Sequence, residues 1–406
     1  MTHPDPRGVT AGQLDRLNAL LSTAMAAGHY RQAYAGVASL PLRDAAGLEA
    51  LPILRKQDFV ALQRETPPFG GLMAAGSRPD YLFVSPGPIH EPGFMRPEFW
   101  RMDRALAAAG FGPDDIVHNT FSYHLTPGAW IFDSGARVLG CSTIPAGNAP
   151  VELQVQAIRQ YAATGYAGTP DFLKRLIEAY GEAYGQSGTH AFPITRALVS
   201  GGAFTPGLQA YYAKAGIRVS QVYATAELGL IACDVADRQA MRIDDGLIVE
   251  IVDPETGRAM PFGRTGEVVV TTLRDDYPLI RFGTGDLSAF AQDDPGDGAP
   301  ALVGWLGRSD QAVKVRGMFV RPQQLQGLQA RIEGVRRIRL IVDRDNEQDS
   351  AVLFCGVDAH QAAGDTTARA AEIAERVREA CHVRIAVSIV DESTMTDDDK
   401  LIVDMR

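Results

Sequence analysis

Over residues 13–35 the apolar positions Leu14, Leu17, Leu20, Leu21 and Met25 recur at helical spacing, so the pattern predicts one amphipathic helix across Gln13–Ala35. The stretch Leu51–Phe59 reads as a short extended piece running into a helix. From about Tyr81 to Ile280 the periodicity switches back and forth. Apolar, β-rich runs at Tyr81–Val84, Arg137–Leu139, Ala197–Val199 and Val219–Val222 alternate with helical stretches such as Glu152–Thr164 and Pro170–Tyr184. That alternation predicts parallel strands joined by crossover helices.

Further on, the pattern changes. Ile248–Val252 and Gly266–Thr272 read as antiparallel strands joined through the turn-forming Asp253-Pro254-Glu255-Thr256-Gly257. Residues 292–300 are rich in Asp, Gly and Pro and read as a surface loop. Beyond Gly307-Arg308-Ser309-Asp310 comes a smaller set of strand-like pieces (Ala312–Val315, Arg337–Val342, Ala351–Gly356, Arg384–Val390) and helix-like pieces (Pro322–Ile332, Thr367–Cys381). The expected fold class is α/β: a large N-terminal α/β domain over residues 1–309 and a small C-terminal α+β domain over 310–406.

Composition narrows the function classes. Of 406 residues, 46% are hydrophobic and 22% charged, the balance of a globular chain long enough for two or three packed units. A formal charge of −10 with no local basic patch argues against nucleic acid as a partner. No apolar run approaches the roughly 20 residues that cross a bilayer, and the polar N-terminus lacks the apolar segment of a secretion signal. Cys141, Cys233, Cys355 and Cys381 are isolated and fit neither a disulfide framework nor zinc-ligand spacing. The expectation is a cytoplasmic protein with no membrane and no nucleic-acid partner.

Four segments, in order, carry candidate chemistry. The first is Ser200-Gly201-Gly202-Ala203 followed by Gln221-Val222-Tyr223-Ala224-Thr225-Ala226-Glu227-Leu228-Gly229. The second is Gly266–Leu273 running into Tyr277-Pro278-Leu279-Ile280-Arg281-Phe282-Gly283-Thr284-Gly285-Asp286-Leu287. The third is Gly307-Arg308-Ser309-Asp310 with Val315–Pro322 behind it, and the fourth is Lys400–Arg406. Together they resemble the phenylacetate–CoA ligase branch of the adenylate-forming (acyl- and aryl-CoA synthetase) superfamily. The N-terminal helix and Leu51–Phe59 fit as well, so the resemblance spans nearly the whole chain.

The resemblance implies a two-domain ligase with a mobile C-terminal lid, using ATP (leaving AMP), Mg²⁺ and CoA on a small carboxylic acid, and often a homodimer. A carboxylate can accept from both hydroxyls of a ribose at once, and the resemblance gives that task to Asp286, with Arg308 as second ribose partner. Gly201, Gly202 and Ala203 follow an apolar run and let backbone approach a flat ring closely. By resemblance this loop and Tyr223-Ala224-Thr225 sandwich the adenine. Glu227 matches the acidic residue that holds Mg²⁺ on the ATP phosphates, an oxygen ligand of the kind hard cations take; an acidic charge at a helix N-terminus is the plainer reading of it. Asp310 matches the hinge of the small domain. Lys400 is the candidate for the catalytic lysine that stabilises charge on the carboxylate and α-phosphate, with Asp398 competing for that position in an ungapped match. Thr120–Gly128 resembles the acid-binding segment. There Phe121 and Tyr123 would line a slot for an aryl or other flat apolar acid. His124 has the one side chain in it that titrates near neutrality, as a catalytic and substrate-contacting candidate or as a structural residue.

The pattern also departs. Where the family's phosphate loop reads Ser-Ser-Gly-Thr-Thr-Gly-Lys-Pro, this chain has Ser85-Pro86-Gly87-Pro88-Ile89-His90-Glu91-Pro92. Ser85 and Gly87 persist as nucleotide-binding candidates, but Pro86 and Pro88 remove two N–H donors, and Glu91 sets a negative charge where a lysine met phosphate. At ~4 Å and an effective dielectric of about 20, one like-charge contact costs roughly 4 kcal/mol. The hydroxyl expected at the α-phosphate is replaced by Ala226, with Thr225 one position early. Two readings follow. One is an enzyme that activates a carboxylic acid as acyl-AMP and passes it to CoA or another acceptor. The other is a relative that binds AMP, acyl-AMP or an acyl-CoA without cleaving ATP.

Overall fold

The computed structural model describes residues 9–26, 28–37, 40–85, 88–185, 191–234, 240–291, 300–309, 313–316, 318–345, 348–362, 364, 366–395 and 401–406. The chain divides into two compact units, Met1–Gly307 and Arg308–Arg406.

The larger unit begins with two helices rather than the single one expected. Ala11–Ala24 is closed at its start by a capping box between Thr10 and Gln13 and buries Leu17, Leu20, Leu21 and Ala24. Gly28–Ala33 then turns Tyr30 inward, where its hydroxyl donates to the Pro278 carbonyl (2.8 Å) and accepts from the Ile280 amide (3.2 Å). Placing that buried phenol between two backbone groups demands a change of direction that one straight helix could not make.

Strands follow in the order Leu54–Arg55 (β1), Tyr81–Ser85 (β2), Ile89–Gly93 (β3), Ile116–Asn119 (β4), Ser142–Pro145 (β5), Gly165–Gly168 (β6), Arg196–Val199 (β7) and Arg218–Thr225 (β8). Then come Gly229–Asp234 (β9), Met241–Ile243 (β10), Leu247–Val252 (β11), Gly266–Thr272 (β12), Phe282–Ser288 (β13) and Ala301–Leu302 (β14). The strands β5-β4-β6-β7-β8 lie side by side, all parallel. The helices Gly128–Val138, Val151–Tyr161, Pro170–Tyr184 and Pro206–Lys214 cross over between them, as the alternating pattern predicts. The sheet then continues antiparallel through β9, β10 and β14.

One expected strand is absent. Arg137–Leu139 closes the helix Gly128–Val138, whose buried face runs through Ala129, Ile131, Phe132, Ser134, Gly135 and Ala136. A Cβ on Gly135 would stand 2.6 Å from the Asp103 amide nitrogen, so two helical backbones cross there at a distance only glycine permits. The apolar triplet was the tail of a helical stripe, too short by itself to reveal its period.

A second sheet sets β1 parallel to β13, followed by β12 and β11 antiparallel, with the pairing of Ile248–Val252 to Gly266–Thr272 as expected. In the smaller unit Arg337–Asp345 and Gln348–Val357 form an antiparallel pair, flanked in parallel by Ile402–Asp404 and Ala386–Asp391. The helix Thr367–Cys381 closes this unit's core with Ile373, Val377 and Cys381. All four cysteines are free. Among the described residues no helix is long and apolar enough to cross a membrane. The loop expected at 292–300 lies outside the described residues apart from Pro300.

Candidate active site

Ligands of open α/β sheets collect beyond the carboxyl ends of the strands, and the larger unit places its chemistry there. The parallel register Val199↔Gln221 carries both chains on in step, so Gly201 and Tyr223 each lie two residues past the paired positions. Gly201 has φ +79°, a left-handed conformation that glycine adopts without strain. Gly202 is small for a second reason: a Cβ there would sit 3.2 Å from Pro170 Cδ. The loop Gly201–Ala203 and the Tyr223 ring therefore come from adjacent strands, as the two sides of a slot for a flat ring require.

Asp286, near the end of β13, is 6% exposed. The Tyr223 hydroxyl donates to its Oδ2 (2.8 Å), and the indole N–H of Trp305 donates to its Oδ1 (3.1 Å). The Thr284 hydroxyl accepts from the Asp286 amide (3.1 Å) and donates to the Val268 carbonyl (2.8 Å). Both carboxylate oxygens are thus aimed before any ligand arrives, which is the preorganisation a two-hydroxyl sugar edge needs. Trp305 is 47% exposed, so its indole can leave the carboxylate at small cost in buried area. Trp305 was not a candidate from the sequence, because a tryptophan two residues before Gly307-Arg308 belongs to none of the four motifs.

The second cluster surrounds Glu227. Residues 226–228 form the turn between β8 and β9, so Glu227 is a turn residue, and the reading of it as a helix N-terminal charge is corrected. The turn is held by the Thr225 hydroxyl, which accepts from the Leu228 amide (3.3 Å), and by Gly229 at φ +71°, where a Cβ would meet the Trp100 carbonyl at 2.7 Å. Arg274, itself buried, donates to the Glu227 carbonyl (2.7 Å). The Glu227 side chain is 1% exposed, with Lys56 Nζ 2.6 Å from its Oε1. Burial alone would raise the Glu227 carboxyl, but the Lys56 ammonium outweighs burial and holds it below the ordinary carboxylate value.

Glu91 borders the same cluster. It lies on β3, whose register with β2 (Ser85↔Ile89, Phe83↔Glu91) leaves only residues 86–88 to connect the two strands. The side chain is 1% exposed, and the Ser85 hydroxyl donates to its Oε2 (2.6 Å). Burial, and next the charge of Glu227, push the Glu91 carboxyl up to about 8, against the opposing pull of Ser85 and Lys56. At neutral pH it holds its proton. The repulsion expected from Glu91 is therefore removed, because the buried acid is neutral. Ser85 is committed to Glu91.

Phe121 stacks on Phe132 (4.5 Å between centroids), and Tyr123 meets Trp130 edge-on (5.4 Å). The Tyr123 hydroxyl accepts from Asn119 Nδ2 (3.0 Å). Burial and the nearby Asp133 raise its pKa. Both rings are half-buried in this aromatic group, while His124 is exposed. A cavity of about 530 Å³ opens beside them, lined by Thr120, Gly147, Asn148, Gln154, Thr169 and Arg175 at the ends of the parallel strands. Phe121, Tyr123 and His124 are not among its lining residues. Arg308 opens the smaller unit, and Gly87, Asp310 and Lys400 lie outside the described residues.

Magnesium takes near-octahedral oxygen ligands, as a rule one or two carboxylates with phosphate oxygens and water completing the shell. Among the described residues no group of three or more His, Cys, Asp or Glu could hold a metal ion. The Glu227 Oε1 already faces an ammonium, and the adjacent Glu91 is protonated. A carboxylate facing an ammonium beside a neutral acid does not make the paired anionic ligand set that a magnesium ion takes.

Residues 99–273, the stretch that carries the Gly201–Ala203 loop, Tyr223 and Glu227, match the family model for an AMP-binding enzyme. Over that stretch the chain is similar to AMP-binding enzymes. Over a longer span it is similar to phenylacetate–coenzyme A ligases. That of Thermus thermophilus is 28% identical over 335 residues, covering 79% of this chain and 74% of the relative. That of Aromatoleum evansii is 26% identical over 344 residues, covering 80% and 76%. The fold also matches a solved 2-hydroxyisobutyryl-CoA ligase in complex with 2-HIB-AMP and CoA, with a TM-score of 0.85 at 23% identity, over 99% of this chain and 91% of that one.

Proposed function

We propose that this chain is an AMP-forming carboxylate–CoA ligase. A carboxylate oxygen of the acid attacks the α-phosphorus of ATP, giving acyl-AMP and releasing pyrophosphate. The CoA thiol, losing its proton, then attacks the acyl carbon, giving acyl-CoA and releasing AMP. The observation that carries the reading is the Tyr223–Asp286–Trp305 arrangement beside the Gly201–Ala203 loop, a preorganised carboxylate next to a slot for a flat ring. Relatives named for phenylacetate, and a solved neighbour that holds a hydroxyacyl adenylate together with CoA, support a small carboxylic acid as substrate. Phe121 and Tyr123 favour an acid with a flat apolar body, and Arg308 is proposed as second ribose partner, with Asp310 as the hinge of a lid formed by residues 310–406.

The test is incubation with ATP, CoA and a panel of aryl and short-chain acids. Acid-dependent release of pyrophosphate and AMP in equal amounts, with acyl-CoA detected by mass spectrometry, is expected. Tight binding of AMP with no pyrophosphate from any acid would favour the binding-protein reading, which the proline-rich connection at 86–88 supports.

Lys400 is proposed to stabilise charge in the adenylation step. Lys400→Ala is expected to slow pyrophosphate release by about 100-fold, the scale of removing one charge-stabilising donor from a preorganised site. Thioester formation from preformed acyl-AMP should change little. Equal slowing of both half-reactions would show that Lys400 acts on the fold instead.

A further inference from the structure

The connection between β2 and β3 carries no lysine or arginine from Ser85 to Pro92, so the loop itself offers a nucleotide's phosphates no positive charge. Cations nearby are otherwise engaged. Arg274 is spent on the carbonyls of Tyr277, Phe99 and Glu227, and Arg101 on Asp244 and the carbonyls of Phe99, Leu228 and Leu230. Lys56 differs from both. Its ammonium reaches the buried Glu227 carboxylate at 2.6 Å, yet its side chain is still 24% exposed.

Its position is fixed by backbone. The β1 strand pairs in parallel with β13, Arg55 opposite Gly283, and Lys56 follows at once as the first residue of the helix Lys56–Glu65. The same β13 carries Asp286, three residues past that pairing. The same turn-bearing strand, β8, carries Tyr223, four residues before Glu227. Lys56 thus stands where the elements of the ribose cluster and the Glu227 turn converge, on a flexible four-carbon stem that can exchange one anion for another.

We propose that Lys56 is the phosphate-facing cation of the nucleotide site, balancing Glu227 in the free protein and turning to the phosphates when nucleotide binds, in place of the missing loop lysine and of a metal ion on Glu227. The assignment rests on the nucleotide-binding reading given above. An ammonium is a compact point charge with three donors, suited to phosphate oxygens. When it turns away, Glu227 keeps the Thr225 turn and the Arg274 contact to its own backbone, so the turn itself does not depend on the ion pair.

The experiment is calorimetric titration of the full chain with adenosine, AMP and ATP, each with Mg²⁺ and with EDTA. It compares wild type, Lys56→Ala, Lys56→Arg and the double variant Lys56→Ala/Glu227→Gln, which leaves no buried unpaired carboxylate. Expected is a fall in ATP affinity of roughly 10- to 100-fold in both alanine-bearing variants, the scale of losing a hydrogen bond to a charged group. Adenosine affinity should be unchanged, and Lys56→Arg should recover most of the loss. EDTA should shift wild-type ATP affinity by less than that. Adenosine binding reports that each variant is folded. If the double variant binds ATP as tightly as wild type, or EDTA weakens wild-type binding as much as the alanine change does, the Lys56 assignment is overturned while the nucleotide site stands. A wild type that binds neither adenosine nor ATP overturns the nucleotide reading and this assignment with it.

Discussion

Asp286→Ala is expected to weaken AMP binding by roughly 100-fold or more, since two hydrogen bonds to an ionised carboxylate contribute about 1.5–3 kcal/mol each. Both oxygens already accept, from Tyr223 and Trp305, so part of the ribose interaction replaces bonds present in the free protein and the net loss falls toward the lower end. Sugar analogues make the test specific. Wild type should lose affinity on going from AMP to 2′-deoxy-AMP or 3′-deoxy-AMP, and Asp286→Ala should be indifferent to both changes, because the group that reads the hydroxyls is gone. Trp305 supplies an independent signal: its indole is half exposed and bonded to the carboxylate, so AMP should alter tryptophan fluorescence in wild type and far less in Asp286→Ala. If the alanine variant still discriminates deoxy-AMP from AMP, the ribose is held elsewhere.

Much of this arrangement was legible in the sequence, for a physical reason. Crossover helices and short parallel strands impose different periods, and from Ile116 to Thr225 those periods alternate, with Arg137–Leu139 the stretch too short to show its own. The Tyr-Pro-Leu-Ile-Arg stretch before β13 is a different matter. Arg281 looks like a site residue by its neighbourhood, yet the structure buries it at 2% exposure against Glu250 (2.9 Å), with its guanidinium also donating to the carbonyls of Leu51 and Gly257. It ties the start of β13 to the loops around it, and so aims Asp286 from a distance.

What the sequence hid is the pairing of groups far apart along the chain. Nothing in Leu51–Phe59 says that Lys56 meets Glu227, because that contact depends on β1 lying beside β13. Nothing in the β2–β3 connection says that Glu91 is uncharged. A charge read from sequence alone is a charge in water. Here burial and the neighbouring Glu227 decide otherwise, and the apparent incompatibility of Glu91 with phosphate disappears once the fold is known.

Glu91 therefore sets a measurable pH dependence of stability. Its folded value of about 8 lies above its ordinary 4.5, so between those values the native protein holds a proton that the unfolded chain has released. Unfolding stability falls wherever the native state binds more protons, by up to about 1.4 kcal/mol per pH unit for one group. The contribution is fully present below pH 4.5 and is lost as the pH rises through 8, where two buried carboxylates must share the single Lys56 ammonium. Over the whole window the loss is on the order of 5 kcal/mol. Glu91→Gln keeps the shape and an acceptor for the Ser85 hydroxyl but cannot ionise. Denaturant unfolding of wild type and variant from pH 5 to pH 9 should show similar stabilities at the acid end and a variant increasingly more stable toward pH 9. Asp234, whose carboxyl is raised to about 6 by burial, titrates in both proteins and cancels in the difference. A constant difference across that range would mean that Glu91 ionises normally, and the phosphate loop would then face a true negative charge.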